Sequence, residues 1–296
     1  MASKELQAII NDFRSRPALG ELPIEEQRAT MEAGLSQLPL APDVRCEPVD
    51  AGGVLAEFIT TPESDRERVI YYLHGGGYVL GSISSHREMA SRLARAAKAQ
   101  VLLIGYRLAP EHPFPAAVED SMTGYRWLLS RGINTDRVVI AGESAGGGLT
   151  VATLVALRDA GEPLPAAAVP VSPWVDMEAL GESMVTKAEL DPVIQRDRLL
   201  ELARTYLKNA DPRTPLAAPI YADLTGLPPL LIQVGTAEVL FDDATRLAES
   251  AKSAGVQVVF EPWEDMIHMW HFFAAMLPEG QQAIDRIGEF VQERTG

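Results

Sequence analysis

The sequence predicts an α/β fold built on a mostly parallel central sheet flanked by helices, and three observations carry that reading. From residue 68 onward, short runs rich in Val, Ile, Leu and Ala alternate with longer helix-like segments, the order that crossover connections between parallel strands produce. One of these runs, at 138–141, reads as a buried strand feeding directly into a helix. The length of 296 residues suits one large α/β domain with some additional cover rather than several small domains.

The elements follow in order. Leu6, Ile9, Ile10 and Phe13 recur at helical spacing and predict an amphipathic helix packed onto the main domain, followed by a stretch interrupted around Pro17 and Pro23. Strands are expected at 53–60 and 68–73, with a turn-rich segment between them. Ser85 and Glu88 form a capping-box pattern ahead of a helix at 89–98, and 101–106 supplies the next strand. A helix over Ala116–Ser130, the strand at 138–141, a helix over Ala145–Asp159 and a strand over Ala167–Val171 continue the alternation. It breaks at about 180–215, where 191–209 reads as helix without an intervening strand, so an insertion over the sheet is expected. Strands at 230–234 and 256–261, and helices at 242–254 and 281–294, resume it. The whole chain, 1–296, is read as a single domain without repeats or low-complexity tracts.

Hydrophobic residues at 47% and charged residues at 23% are the balance of a globular protein with a sizeable core. With 26 Lys and Arg against 41 Asp and Glu, the formal charge of -15 opposes binding of nucleic acid or anionic lipid and favours neutral substrates. Cys46 is the only cysteine, which excludes an intramolecular disulfide and a cysteine metal cluster and is compatible with a reducing compartment. Lys4, Glu5 and Asp12 interrupt the start of the chain, unlike the apolar core of a signal peptide, and no uncharged apolar run is long enough to cross a bilayer. A cytoplasmic protein without membrane insertion is expected.

The sharpest chemical signal is Gly142-Glu143-Ser144-Ala145-Gly146, placed where the strand at 138–141 meets the following helix. A sharp strand-to-helix turn strains the serine backbone, which small residues two places either side permit, and it lifts the hydroxyl above the sheet. The helix start beneath lends partial positive charge, and the Ala145 N–H would point at any oxyanion formed there. A glycine-rich turn that closes a strand, or cradles a phosphate, is the plainer alternative for a lone pentapeptide. The neighbouring signals weigh against it. His74-Gly75-Gly76-Gly77-Tyr78 follows the strand at 68–73, and successive glycines let a backbone turn its amides toward one point. Two of Gly75, Gly76 and Gly77, with Gly76 first, are expected to join Ala145 in an oxyanion hole, while His74 fixes the loop.

A serine nucleophile needs a base, and the chain holds His74, His86, His112, His268 and His271. In the order nucleophile, acid, histidine, only His268 and His271 qualify. His268 lies in a loop just beyond the strand at 256–261, whereas His271, three residues on, reads as packing. The acid is expected in the loop 235–243, which offers Glu238, Asp242 and Asp243. Glu238 sits just past the strand end. Asp242 and Asp243 read as capping residues of the helix at 242–254, and the choice between Glu238 and Asp242 stays open.

Over 69–294 these residues resemble the bacterial hormone-sensitive-lipase-like family of esterases. The motifs that carry the resemblance are His74-Gly75-Gly76-Gly77, Tyr106-Arg107-Leu108-Ala109-Pro110-Glu111 with Phe114-Pro115-Ala116-Ala117 and Asp120, the serine pentapeptide, and Asp265-Met266-Ile267-His268. The resemblance implies an α/β-hydrolase fold with a helical cap from about 1–45 and 180–215, and a serine carboxylesterase acting on short- to medium-chain acyl esters. It also implies no cofactor, no metal, a small-molecule ester as partner, frequent homodimerisation, and a supporting role for Glu111 and Asp120 in the active-site loops. The family commonly has Asp where this chain has Glu143 and Glu238, which puts the acid in question. Two rival functions use the same fold: a non-catalytic receptor for a small ligand, which the pairing of Ser144 with His268 argues against, and an amidase or peptidase. Tyr78, Trp174 and Phe241 are candidate pocket residues, although buried aromatics more often belong to the core.

Overall fold

Among the described residues eight strands make one sheet: β1 (Arg45–Asp50), β2 (Leu55–Thr60), β3 (Asp65–Leu73), β4 (Ala99–Gly105), β5 (Val138–Glu143), β6 (Ala167–Val171), β7 (Leu230–Gly235) and β8 (Val258–Trp263). In the computed structural model, which describes residues 3–16, 20 and 22–296, their spatial order is β1-β2-β4-β3-β5-β6-β7-β8. β1 and β2 pair antiparallel, as do β2 and β4, and the remaining pairings are parallel. The helices are α1 (Lys4–Ser15), α2 (Ile24–Leu35), α3 (Ile83–Ala97), α4 (Ala116–Ser130), α5 (Ala145–Asp159), α6 (Ser183–Thr186), α7 (Arg196–Leu207), α8 (Phe241–Ser253) and α9 (Pro278–Thr295). None is long and apolar enough to cross a membrane. Pro17, part of the expected interruption after α1, lies outside the described residues.

The central strands, β4 to β7, are apolar on both sides because both sides are covered. Along β3, Tyr71 and Leu73 join the core that holds Leu149 and Leu154 of α5 and Leu247 of α8, while Ile70 and Tyr72 join the one that holds Leu93 of α3 and Ile287 and Phe290 of α9. Successive side chains of a strand point to opposite faces, so a strand between two helical layers has no polar side to offer. A third apolar cluster joins Leu6, Ile9 and Ile10 of α1 to Met266, Ile267, Trp270 and Leu277, the chain segment around His268. Helix α1 starts at Ser3, whose hydroxyl accepts the Leu6 amide at 3.2 Å.

The structure departs from the expectations at several elements. The box that starts α3 is formed by Ser82 and Ser85, with Ser85 at the third helical position rather than at the cap. β1 is an exposed edge strand containing Pro48, so it lacks the buried alternation that marks a strand. β8 lies two residues later than expected, and the helix of the insertion begins only at Arg196 because Asp191 is engaged in a turn. Asp242 and Asp243 do not cap α8, which has no side-chain cap. Their carboxylates face the segment after β6 instead: Asp242 accepts the Ser183 amide at 2.9 Å, and Asp243 accepts those of Val175 and Asp176 at 3.0 Å each.

Phe290 is almost fully buried in the layer beneath α9. Phe290→Ala is expected to destabilise the fold by about 3–5 kcal/mol, read as a lower urea midpoint at unchanged slope, while the surviving folded fraction keeps its activity.

Candidate active site

The site is built at the ends of the central strands. β5 runs into Ser144, which holds φ 56° and ψ -120°, and α5 begins at the next residue. That backbone region is strained for a residue with a side chain, by about 1–3 kcal/mol, and the surroundings over-determine it. The Ser144 amide donates to Val171 O at 2.9 Å, and its carbonyl accepts from Trp174 N at 3.0 Å and Gly148 N at 3.1 Å. The turn is tight enough that a Cβ on Gly146 would lie 1.9 Å from Leu73 O. Because α5 begins at the residue after Ser144, the positive end of that helix lies beside the serine.

Two later loops converge on it. His268 Nε2 lies 3.0 Å from Ser144 Oγ, and His268 Nδ1 lies 2.7 Å from Glu238 Oε2. The other oxygen of Glu238 accepts the Ser172 hydroxyl and the Gly235 amide, each at 2.7 Å. The loops after β7 and β8 are stitched together by Thr236 N to Trp263 O at 2.9 Å and Ala237 N to Met266 O at 3.1 Å. Of the carboxylates that the sequence left open, Glu238 is the one hydrogen-bonded to His268.

The third component is the loop after β3. Gly76 has φ 110°, and a Cβ there would fall 2.3 Å from Leu80 O, so only glycine fits. The amides of Gly76, Gly77 and Ala145 have no acceptor among the described residues. Gly75 is different, and it corrects the expectation that any two of the three glycines could serve: its amide donates to Glu143 Oε1 and is therefore engaged. Glu143 also accepts the Tyr72 hydroxyl at 2.5 Å. His86 Nε2 sits 2.9 Å from the same Oε1, within ion-pairing distance but off the line of a hydrogen bond. His74 packs against the Tyr106 ring at 4.3 Å, and its Nδ1 bonds Gly75 O at 2.8 Å. Burial first, and neighbouring His86 second, push its pKa down to about 3, so it stays neutral and braces the loop.

Residues 70–272 match the family described as the alpha/beta hydrolase fold. An acetyl-hydrolase of Streptomyces hygroscopicus is 51% identical over 248 residues, 84% of this chain and 83% of that protein. A crystallised esterase from the bacterial hormone-sensitive lipase family superposes with TM-score 0.97 at 50% identity, covering 100% of both chains. The chain belongs to that family of α/β-hydrolases. It is a carboxylic ester hydrolase. The crystal structure of a further esterase, EstE5, soaked with p-nitrophenyl butyrate, aligns with this hydrolase at 47% identity and TM-score 0.96, covering 99% of both chains.

The environment of His268 in this family member follows from its neighbours. Burial alone would disfavour the imidazolium, but the charge and hydrogen bond of Glu238, helped by Asp191 and Glu143, outweigh it and raise the pKa above the ordinary histidine value. His271 is buried, bonded through Nε2 to Gln233 Oε1 at 2.9 Å, and driven down to about 3 by burial and by His268. Tyr78 and Trp174 are core residues, Tyr78 stacking on Tyr206 of α7 with ring centroids 3.8 Å apart. Phe241 is half-buried at the start of α8 under Lys187, whose Nζ lies 5.8 Å from the ring.

Two residues of this hydrolase stood out in no sequence pattern. Arg28 on α2 donates to Val79 O and Ala109 O at 2.8 Å and makes a bidentate pair with Glu111 at 2.8 Å on both arms. The pairing holds the Glu111 carboxyl down at about 2. Asp191, in the insertion, donates its charge to the surroundings of His268. Asp120 accepts the Arg107 amide at 2.8 Å and its guanidinium Nε at 2.9 Å, fixing the loop that carries Glu111.

Gly146→Ala is expected to be destabilising by about 3 kcal/mol or more, the upper range for overpacking, because the added methyl meets the backbone of β3. Thermal unfolding of the purified variant reads the loss, and hydrolysis of a chromogenic ester should fall with it.

Proposed function

We propose that this esterase hydrolyses short- to medium-chain acyl esters through Ser144, His268 and Glu238 and a covalent acyl-enzyme. The observation that carries this reading is one imidazole bonded on both nitrogens, to Ser144 Oγ at 3.0 Å and to Glu238 Oε2 at 2.7 Å. With its Nδ1–H donated to the carboxylate, the ring presents the lone pair of Nε2 to the hydroxyl, the tautomer a general base requires. Ser144 Oγ attacks the ester carbonyl carbon as Nε2 takes its proton. The amides of Gly76, Gly77 and Ala145 receive the oxyanion. Collapse expels the alcohol, which takes the proton from Nε2. A water deprotonated by the same nitrogen then cleaves the acyl-enzyme and frees the acid.

The segments at about 1–45 and 180–215 act as the cap in this reading. Leu202 of α7 presses on the oxyanion loop so closely that a Cβ on Gly77 would lie 2.6 Å from its Cδ1. Tyr206 of the same helix stacks on Tyr78. A roof so close to the reacting centre leaves room for small acyl groups. The acetyl-hydrolase name of the Streptomyces relative and the butyrate ester soaked into EstE5 agree with that size.

A fluorophosphonate should attach to the tryptic peptide containing Ser144, and absence of adduct there would defeat the mechanism. Glu238→Ala should lower kcat on the order of 10^3- to 10^4-fold, as loss of the third triad member does elsewhere. Asp242→Ala loses a bond to the insertion and should cost only about 1 kcal/mol of stability. Steady-state kinetics of the two variants decide between the carboxylates, and a larger kcat loss in Asp242→Ala reverses the assignment.

The pH profile tests the base independently. Activity needs the neutral imidazole, and its neighbours favour the charged form, so the midpoint moves upward from the ordinary value of 6.5. The acid limb of kcat/KM should therefore lie above pH 6.5, with activity lost as pH falls through it.

A further inference from the structure

Asp191 is a buried carboxylate, 2% exposed, that no step of the proposed mechanism uses. It belongs to the insertion between β6 and β7, shortly before α7. Its Oδ1 accepts the amides of Val193 at 2.9 Å and Ile194 at 3.1 Å and so shapes its own turn. Gln195 closes that turn from the other side, donating to the carbonyls of Asp191 at 2.6 Å and Ala188 at 3.0 Å. The remaining oxygen, Oδ2, leaves the insertion and accepts the amide of Val239 at 3.0 Å.

Val239 directly follows Glu238. Its carbonyl accepts the hydroxyl of Ser183 at 2.5 Å, and that hydroxyl accepts the Asp242 amide at 3.0 Å. The insertion therefore grips Val239 at both its amide and its carbonyl. Asp191 forms no ion pair with Lys or Arg among the described residues, and the charges that face it are those of Glu238 and His268. Burial pushes its carboxyl up to about 6, with His268 opposing and Glu238 adding to the rise. The groups bearing on His268 are Glu238 after β7, Asp191 in the insertion, Glu143 at the end of β5, and His271 three residues beyond it.

We propose that Asp191 is a positioning residue: through Val239 it holds Glu238 in line with His268, and its charge adds to that of Glu238 in steadying the imidazolium that forms as Ser144 loses its proton. The proposal rests on the assignment of Ser144, His268 and Glu238 as the triad. It gives the insertion a part in the chemistry, beyond covering the substrate. A purely structural aspartate would lower the folded fraction when replaced and leave the titration of the survivors unchanged.

The test uses D191N and D191S in the full chain, with p-nitrophenyl acetate hydrolysis followed across pH and rates normalised to the serine titrated by a fluorophosphonate. Misalignment of Glu238 should lower kcat by about 10- to 100-fold with KM within about twofold. Loss of the charge should move the acid limb of kcat/KM to lower pH by roughly half a unit, and D191E should bring the limb back. An acid limb in D191N and D191S that coincides with the native one overturns the proposal. If neither variant yields a titratable serine, native protein labelled with 13C-aspartate replaces them. Protonation of Asp191 should then shift the downfield Nδ1 proton of His268 in the same pH step, and independent titration of the two groups overturns the proposal. Native protein that takes no label at Ser144 defeats the triad assignment and this proposal with it; labelled native protein with an unmoved variant profile defeats the role of Asp191 alone.

Discussion

The Glu238 carboxylate is where three neighbouring strands meet. It accepts a hydroxyl from the residue after β6, an amide from the last residue of β7, and the imidazole carried on the loop after β8. A buried carboxylate without such donors would be expensive to keep charged, so each donor is a condition for the next. Because β6, β7 and β8 are adjacent and parallel, their C-terminal ends emerge side by side. The sheet order alone brings the three donors within reach of one side chain. Ser144, at the end of β5, is the next position along the same edge. The fold therefore assembles the site by strand adjacency, with little dependence on long flexible loops.

The glycine loop after β3 depends on a comparable constraint on the other side of the serine. Glu143, immediately before Ser144, reaches across to the amide of Gly75 and the hydroxyl of Tyr72, both on or just after β3. The residue that leads into the strained serine thus also fixes the first glycine of the loop facing it. This arrangement explains why three consecutive glycines supply only two free amides. It also gives the Glu side chain a use, since its carboxylate bridges from β5 to the end of the neighbouring strand β3.

Much of this was legible in the sequence because the informative patterns are local. Parallel strands covered on both faces appear as continuous apolar runs, so β3 to β7 stood out. The pentapeptide around Ser144 and the glycine triplet carry their backbone geometry in their composition, and chain order narrowed the histidines to two. What escaped was decided by tertiary partners. β1 is solvated and carries no alternation. α2 has only one buried residue, Gln27, and gave no amphipathic signal, so the clasp made by Arg28 could not be foreseen. The engagement of Gly75 depends on a carboxylate 68 residues away in sequence. Asp242 and Asp243 carry the right residue type for helix caps, yet the chain between β6 and α7 offers them amides instead. Asp191 is one aspartate among many until the chain folds it against Val239.

The exposed edge strand β1 has a practical side. Cys46, the sole cysteine of the chain, lies on it and is solvent-exposed. β1 is four strands removed from β5 in the sheet, which at strand spacing is roughly 19 Å. A maleimide would therefore attach to every molecule at the same point, four strand positions away from the strand that ends at Ser144.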